Sequence, residues 1–66
     1  MEHENHERIR EKLQADSDAI TNHLRSCTAF ASIGEWKASL REATKAAMVL
    51  ASVCALLRRF GGKDAE

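Results

Sequence analysis

Three basic side chains, Lys37, Arg41 and Lys45, recur at intervals of four residues. On a helix this spacing places them on one face. Such a row can hold the phosphates of a ligand, and the neighbouring Trp36 can stack on a base. The competing interpretation is a solvated face opposite the core, where basic residues are common. The pattern makes nucleic acid or a cyclic nucleotide a possible partner without deciding for it.

A second candidate site lies at the start of the chain, where His3 and His6 stand in the run EHENHE. Two histidines flanked by carboxylates can bind a divalent metal. A terminal segment frays, however, and holds metal geometry poorly. We therefore expect no metal and no cofactor. His23 stands alone beside an apolar stripe, and we expect it at the edge of the helix packing.

The two cysteines, Cys27 and Cys54, are too few for a disulfide framework. In a hairpin that turns near residue 33 they lie about 22 Å apart along the axis. A disulfide requires Cα atoms within roughly 7 Å, so we predict two free, buried thiols. The sequence contains no nucleophile elbow, phosphate loop or catalytic triad, and we expect no enzymatic activity.

The composition restricts the fold to a small all-α domain. The chain has 66 residues, no Pro, three Gly and a formal net charge of +0. The turn residues of a β-sandwich are missing, and no net charge attracts the chain to nucleic acid or to a membrane. The longest apolar run covers 12 residues, 46–57, and spanning a bilayer takes about 20. Because the first residues are charged throughout, we expect no signal peptide and a cytoplasmic location.

The segment ASIGEW, residues 31–36, predicts the boundary between two helices. Ser32 followed by Glu35 is typical of a capping box. We predict a helix over about residues 4–30, a turn over 31–34, a second helix over about 33–60 that Gly61 ends, and a tail over 61–66. A short connection makes the two helices antiparallel neighbours, so the fold class is an antiparallel helical hairpin.

The first helix has one narrow apolar stripe, interrupted by the polar residues 16–18. Its members are Ile9, Leu13, Ile20, Leu24 and Cys27. Asp and Ser are poor in helix interiors and good at N-caps. Either one helix continues through the interruption, or the stable helix begins near Asp18.

The second helix has two apolar rows. The first recurs with heptad-like spacing and comprises Trp36, Leu40, Ala43, Ala47, Leu50, Cys54 and Leu57. The second comprises Val49, Val53, Leu56 and Phe60. One narrow stripe on the first helix can cover only one of them. We therefore expect the first row to pack within the hairpin and the second to stay exposed and bind a protein. The alternative is that the first residues fold back over this patch.

Association follows from this imbalance. A two-fold dimer that forms a four-helix bundle is the simplest closure, and a heteromeric protein partner is the other possibility. The predicted interface residues are Trp36, Leu40, Val49, Val53, Leu56 and Phe60. Trp36 is either an anchor in this interface or a lid that closes the loop end against Phe30.

Charge supports the antiparallel arrangement. Residues 1–18 contain six acidic and three basic side chains, whereas residues 19–63 contain two acidic and seven basic ones. We expect the acidic start of the first helix to lie near Arg58, Arg59 and Lys63, where a weak surface attraction favours this direction of pairing.

The run WKASLREA from Trp36, with Arg41-Glu42 inside it and an alanine-rich continuation, resembles the second helix of small co-chaperones of type III secretion needle subunits. This resemblance implies a helical hairpin that binds a larger helical-repeat chaperone through its apolar face.

The same segment is similar to the second helix of phage cyclic-oligonucleotide sponges, through Trp36, Arg41 and Ala47-Met48. A later Arg of that family's pattern is Val53 here, which leaves the implied ligand site incomplete. The ending LLRRFGG resembles plasmid copy-control RNA-binding hairpins. Together the residues favour a non-enzymatic protein-binding hairpin (a co-chaperone, adaptor or small phage-type inhibitor). The alternative is an oligomeric binder of a phosphate-bearing ligand, a cyclic oligonucleotide or RNA.

Overall fold

The protein is an antiparallel hairpin of two helices. The structure, a computed structural model, describes residues 2–62 and the side chains from His6 to Phe60. Helix α1 covers Glu2–Ser32, helix α2 covers Trp36–Leu57, and a wider π-type turn continues α2 over Arg58–Gly62. The predicted fold class is confirmed. The side chain of His3 and the tail from residue 63 lie outside the described residues.

Helix α1 runs without a break through Asp16-Ser17-Asp18. The first of the two alternatives is therefore correct. Asp16 and Asp18 each have a partner one turn earlier, since Lys12 Nζ lies 3.3 Å from Asp16 Oδ2 and Gln14 donates to Asp18 Oδ1 at 3.1 Å. Such pairs support a helix by a few tenths of a kcal/mol each.

The turn between the helices is a Schellman motif centred on Gly34. The amide of Glu35 donates to the carbonyl of Phe30 at 2.9 Å, and the amide of Gly34 donates to that of Ala31 at 3.1 Å. Gly34 has a φ of 76°, a left-handed conformation that costs glycine least. These bonds satisfy the last carbonyls of α1, which therefore ends two residues later than expected.

The predicted capping box does not form. Ser32 belongs to the last turn of α1, and its hydroxyl donates to the carbonyl of Thr28 at 2.9 Å. Glu35 occupies the N-cap of α2, with no side-chain cap bond, and its carbonyl accepts the amide of Ser39 at 2.9 Å. The glycine motif determined this boundary, because it leaves Ser32 inside a helix where its hydroxyl finds a carbonyl one turn back.

Each helix presents one row to the other, and both rows alternate steps of three and four residues. We call them the seam. The α1 seam comprises Ile9, Leu13, Asp16, Ile20, His23, Cys27 and Phe30. The α2 seam comprises Ser39, Glu42, Ala46, Val49, Val53 and Leu56. Such spacing is that of helices that pack along their length.

The seam is a thin core. Among the side chains from His6 to Phe60, only Ala46, at 5% exposure, and Ser39, at 6%, are buried, and no large side chain is fully buried. The molecule is correspondingly elongated, with extents of 48 × 24 × 13 Å. A second layer of protein is therefore needed before any large side chain leaves water completely.

Candidate interaction surface

A polar network joins the two helices in the half of the seam near the turn. His23 Nδ1 lies 2.9 Å from Glu42 Oε1, and Lys45 donates to Glu42 Oε2 at 3.2 Å. The hydrogen bond to His23, and after it the one to Lys45, hold the pKa of the Glu42 carboxyl below its ordinary value. The network therefore stabilises the hairpin when the Glu42 carboxyl is ionised.

The next step toward the turn joins Ser39 and Cys27. The Ser39 hydroxyl donates to the Cys27 carbonyl at 2.8 Å and lies 3.2 Å from Cys27 Sγ. A buried hydroxyl requires such a partner. Small side chains at both positions let the helices approach closely beside the turn. These contacts and His23–Glu42 fix which residues of α1 and α2 face each other.

Cysteine, serine, histidine and glutamate are also the residue types of a nucleophilic site, so their geometry matters. In the described chain, however, neither Cys27 nor Ser39 shares a hydrogen bond with His23. Ser39 is buried and bonded to the backbone, and His23 is occupied by Glu42. A nucleophile needs its base within hydrogen-bonding distance and access to substrate. The cluster is arranged to hold two helices together. His23 therefore lies on the seam itself, closer to the centre of the packing than we expected.

The first apolar row of α2 lies outside the seam, on a face about 100° away from it. We call this row the α2 flank. Its members are Trp36, Leu40, Ala43, Ala47, Leu50, Cys54 and Leu57. Its large side chains are 67%, 68%, 52% and 45% exposed at Trp36, Leu40, Leu50 and Leu57. The expectation that this row packs within the hairpin is wrong.

The second row of α2 packs within the hairpin instead. Val49, Val53 and Leu56 are half-buried on the face that Ser39, Glu42 and Ala46 turn toward α1. Of the predicted exposed patch only Phe60 stays open, at 55% exposure. The first half of α1 covers this row through Ile9 and Leu13, as part of one continuous helix and not as a separate segment that folds back.

The polar steps of α1 explain this choice of rows. Asp16, His23 and Cys27 all face α2, and buried polar groups need partners. Glu42 and Ser39 supply them to His23 and Cys27, whereas the row of Trp36 and Leu40 has no polar side chain to offer. Asp16 receives no such partner from α2. Its Oδ2 is buried and accepts no hydrogen bond, although Lys12 Nζ lies 3.3 Å away as an ion-pair partner.

The predicted phosphate-binding row is present on the surface. Lys37, Arg41 and Lys45 are all exposed on α2, with Lys45 beside the seam residue Glu42. Lys45 is engaged by Glu42, whereas Lys37 and Arg41 make no ion pair with any described side chain. Trp36 belongs to the neighbouring α2 flank. Its exposure shows that it does not cover the turn as a buried lid.

Like charges meet at the open end of the hairpin. A groove there is lined by Arg8, Ile9, Lys12, Leu56, Arg59 and Phe60. Within the described residues no acidic side chain of α1 forms an ion pair with Arg58 or Arg59. The short turn and the seam hold the helices antiparallel. The side chains of Glu2, Glu4 and Lys63, which the expected attraction includes, lie outside the described residues.

The remaining expectations concern cysteines, metals and membranes. Both cysteines are free, as predicted, but Cys54 is exposed on the α2 flank and only Cys27 is half-buried. Among the described residues, no three His, Cys, Asp or Glu side chains come together as a metal group. Neither described helix combines the length and apolar character needed to cross a membrane.

Comparisons with family models, with characterised proteins and with solved structures found no match to this chain.

Proposed function

We propose that this protein is a non-enzymatic binding module that acts by packing the α2 flank against a protein partner. The observation that carries the proposal is the exposure of four large side chains, Trp36, Leu40, Leu50 and Leu57, in one row with helix-packing spacing. Exposed apolar patches of this kind mark interaction sites. Aromatic residues such as Trp36 are enriched among the side chains that dominate binding energy.

The thinness of the seam supports the same proposal. Two helices in which no described large side chain is completely buried have limited stability, because a chain of this size buries only about 60% of the surface that its unfolded form exposes. A partner on the α2 flank adds the missing layer, whether it is a second copy in a four-helix bundle or another protein such as a helical-repeat chaperone. A cytoplasmic location fits the two free thiols.

The test compares two substitutions to Glu on α2. Leu50→Glu places a charge on the α2 flank, and Met48→Glu places it on another face of α2; both side chains are more than half exposed, at 52% and 68%. Neither removes a seam residue, so both hairpins should fold. We expect the wild-type chain and Met48→Glu to form the same complex, in sedimentation of the pure chain or in affinity capture from cells, and Leu50→Glu to lose it.

The proposal is contradicted if the wild-type chain forms no complex in either experiment, or if its complex tolerates Leu50→Glu as well as Met48→Glu. Circular dichroism of all three chains checks that each remains helical, so that a lost complex reports the surface and not the fold.

A second function, binding of a phosphate-bearing ligand, is supported by one observation. Lys37 and Arg41 are exposed cations one helical turn apart without a carboxylate partner in the described chain. Under this proposal Arg41→Ala abolishes binding of a short RNA or a cyclic oligonucleotide and leaves association through the α2 flank unchanged. Such binding should also weaken steeply as salt increases; salt-independent binding would contradict it.

A further inference from the structure

We propose that the partner on the α2 flank is a second copy of this chain, packed antiparallel about a two-fold axis at Ala47. This inference rests on the proposed function, because it names the occupant of the same surface. It adds a direction, a register and a set of residue pairs, each of which can be tested separately from the binding role itself.

The chain exposes more surface than a compact protein of the same mass. One chain exposes 5556 Å², whereas a compact protein of 7.3 kDa exposes about 4,200 Å². Two separate chains expose about 11,100 Å², and a compact protein of twice the mass about 6,900 Å². The difference of about 4,200 Å² lies within the roughly 2,000–5,000 Å² that obligate dimers bury.

The order of side chains along the α2 flank is self-complementary in the antiparallel direction. Ala47 is the middle of its seven positions. With the axis there, each larger side chain faces a different residue of the partner. The pairs are Trp36 with Leu57, Leu40 with Cys54, Ala43 with Leu50, and Ala47 with itself. Leu40 and Leu50 thus each face a smaller side chain, which fills a helix interface evenly, and a two-fold axis requires this reciprocity.

The parallel direction fits less well. It places each residue against its own copy, so that Ala43 and Ala47 form two adjacent layers without a large side chain, and Trp36 meets Trp36. Empty layers cost stability, because cavities forfeit contacts. The sizes along the row therefore favour the antiparallel pairing.

Charge and the ends of the molecule agree with this direction. The antiparallel register brings Glu35, at the exposed start of α2, to Arg58 of the second copy. The parallel one brings Arg58 to Arg58. Exposed pairs add little affinity, but they select orientation. The same register brings the turn, where Ile33 is 73% exposed, to the end of the second copy where Phe60 is 55% exposed.

Cysteine cross-linking distinguishes the two directions. In a Cys27→Ser background, Leu40→Cys places a thiol opposite Cys54 of the second copy if the pairing is antiparallel. Mild oxidation should then shift the band on a non-reducing gel from 7.3 kDa to twice that mass. Leu40 is 68% exposed in the hairpin, so the substitution leaves the seam intact.

Two matched chains serve as controls. The Cys27→Ser chain with Leu40 retained has only Cys54, and the Leu40→Cys, Cys54→Ser chain in the same Cys27→Ser background has only a thiol at position 40. In the antiparallel dimer the two copies of position 40 lie about 21 Å apart along the axis, as do the two copies of Cys54. We expect neither control to cross-link.

A dimer band from either control overturns the inference in favour of the parallel pairing, while the proposed binding role stands. A wild-type chain that sediments as a monomer of 7.3 kDa at every concentration also overturns it. In that case, capture of another protein that Leu50→Glu abolishes still supports the proposed function, whereas capture that Leu50→Glu leaves unchanged defeats both.

Discussion

Helix α2 has two rows of side chains with the same alternating spacing. One row packs against α1, and the other faces solvent. The seam row is small and polar near the turn, with Ser39, Glu42 and Ala46, and apolar farther on. The α2 flank contains the larger side chains, Trp36 and Leu40 among them, and faces solvent. Pairing of the two helices thus followed polar complementarity and small side-chain size, and it left the more apolar row exposed to solvent. Hydrophobicity alone does not decide which face of a helix its own chain covers, because an unpaired buried polar group costs as much as an apolar side chain gains.

Placing a charged side chain in each row should show most clearly that the seam row stabilises the hairpin and that the α2 flank serves association. We expect Val53→Glu, in the seam, to lower the free energy of unfolding of the hairpin by on the order of 3 kcal/mol, because it removes an apolar contact and brings a carboxylate against α1. Leu50→Glu, on the α2 flank, should change association and leave the helicity of the isolated hairpin almost unchanged. Urea unfolding followed by circular dichroism, at chain concentrations below association, measures both. Equal helicity of the two variants would remove the distinction between the rows.

The second comparison concerns size. Ala46 is 5% exposed between the helices, so Ala46→Leu should destabilise the hairpin by about 1–3 kcal/mol through overpacking. Ala55→Leu adds the same atoms at an exposed position of α2 and should have little effect, since Ala and Leu differ little in helix propensity. Thermal unfolding of both variants provides the measurement. If Ala46→Leu stabilises the hairpin, its seam is less tightly packed than the burial of Ala46 indicates.

The third comparison isolates one hydrogen bond. Ser39→Ala removes the hydroxyl that donates to the Cys27 carbonyl at 2.8 Å, and we expect a loss of about 1 kcal/mol. Ser52→Ala, at an exposed position of α2, should stay within about 0.5 kcal/mol of the wild type. Urea midpoints measure both changes. Equal midpoints for the two variants would show that the Ser39–Cys27 contact contributes no more than a surface serine.

The smallest expected effect is a dependence on pH in the acid range. The pKa of Glu42 is lowered in the folded hairpin by its bonds to His23 and Lys45. Its contribution to stability is therefore present above the pKa that glutamate has in the unfolded chain, about 4.3, and is lost as pH falls through the lower folded value. Unfolding curves between neutral pH and the acid range should show a steeper decline for the wild type than for Glu42→Gln. Parallel declines would assign the acid sensitivity to other carboxylates.

The fold could be predicted from the sequence because its signals are local. The length of the apolar patterns, the lack of proline and the short segment between two helices define a hairpin. The boundary was misplaced by the Ser32–Glu35 capping box, which competes with Gly34 for the same residues. Reading Gly34 as the left-handed end of α1 moves the turn by two residues and would have given the correct helix ends.

The choice of seam could not be predicted from apolar spacing alone, because both rows of α2 match a heptad pattern. The missing signal was the polar content of α1. Counted from Ile33, Cys27 and Ser39 each lie six residues away, and His23 and Glu42 lie ten and nine residues away. A search for polar residues that face each other across the turn would have identified the seam and, by exclusion, the α2 flank.

Gly34 also governs whether a chain closes on itself at all. Nothing lies within 4 Å of a side chain added there, so its requirement is one of backbone conformation rather than space. A residue that prefers the negative φ of a right-handed helix would let the helix continue through positions 33–35. The hairpin could then open into a single long helix. Two such rods would satisfy each other's seams by domain swapping. We therefore expect the positive φ of Gly34 to favour the folded-back hairpin over an exchanged assembly.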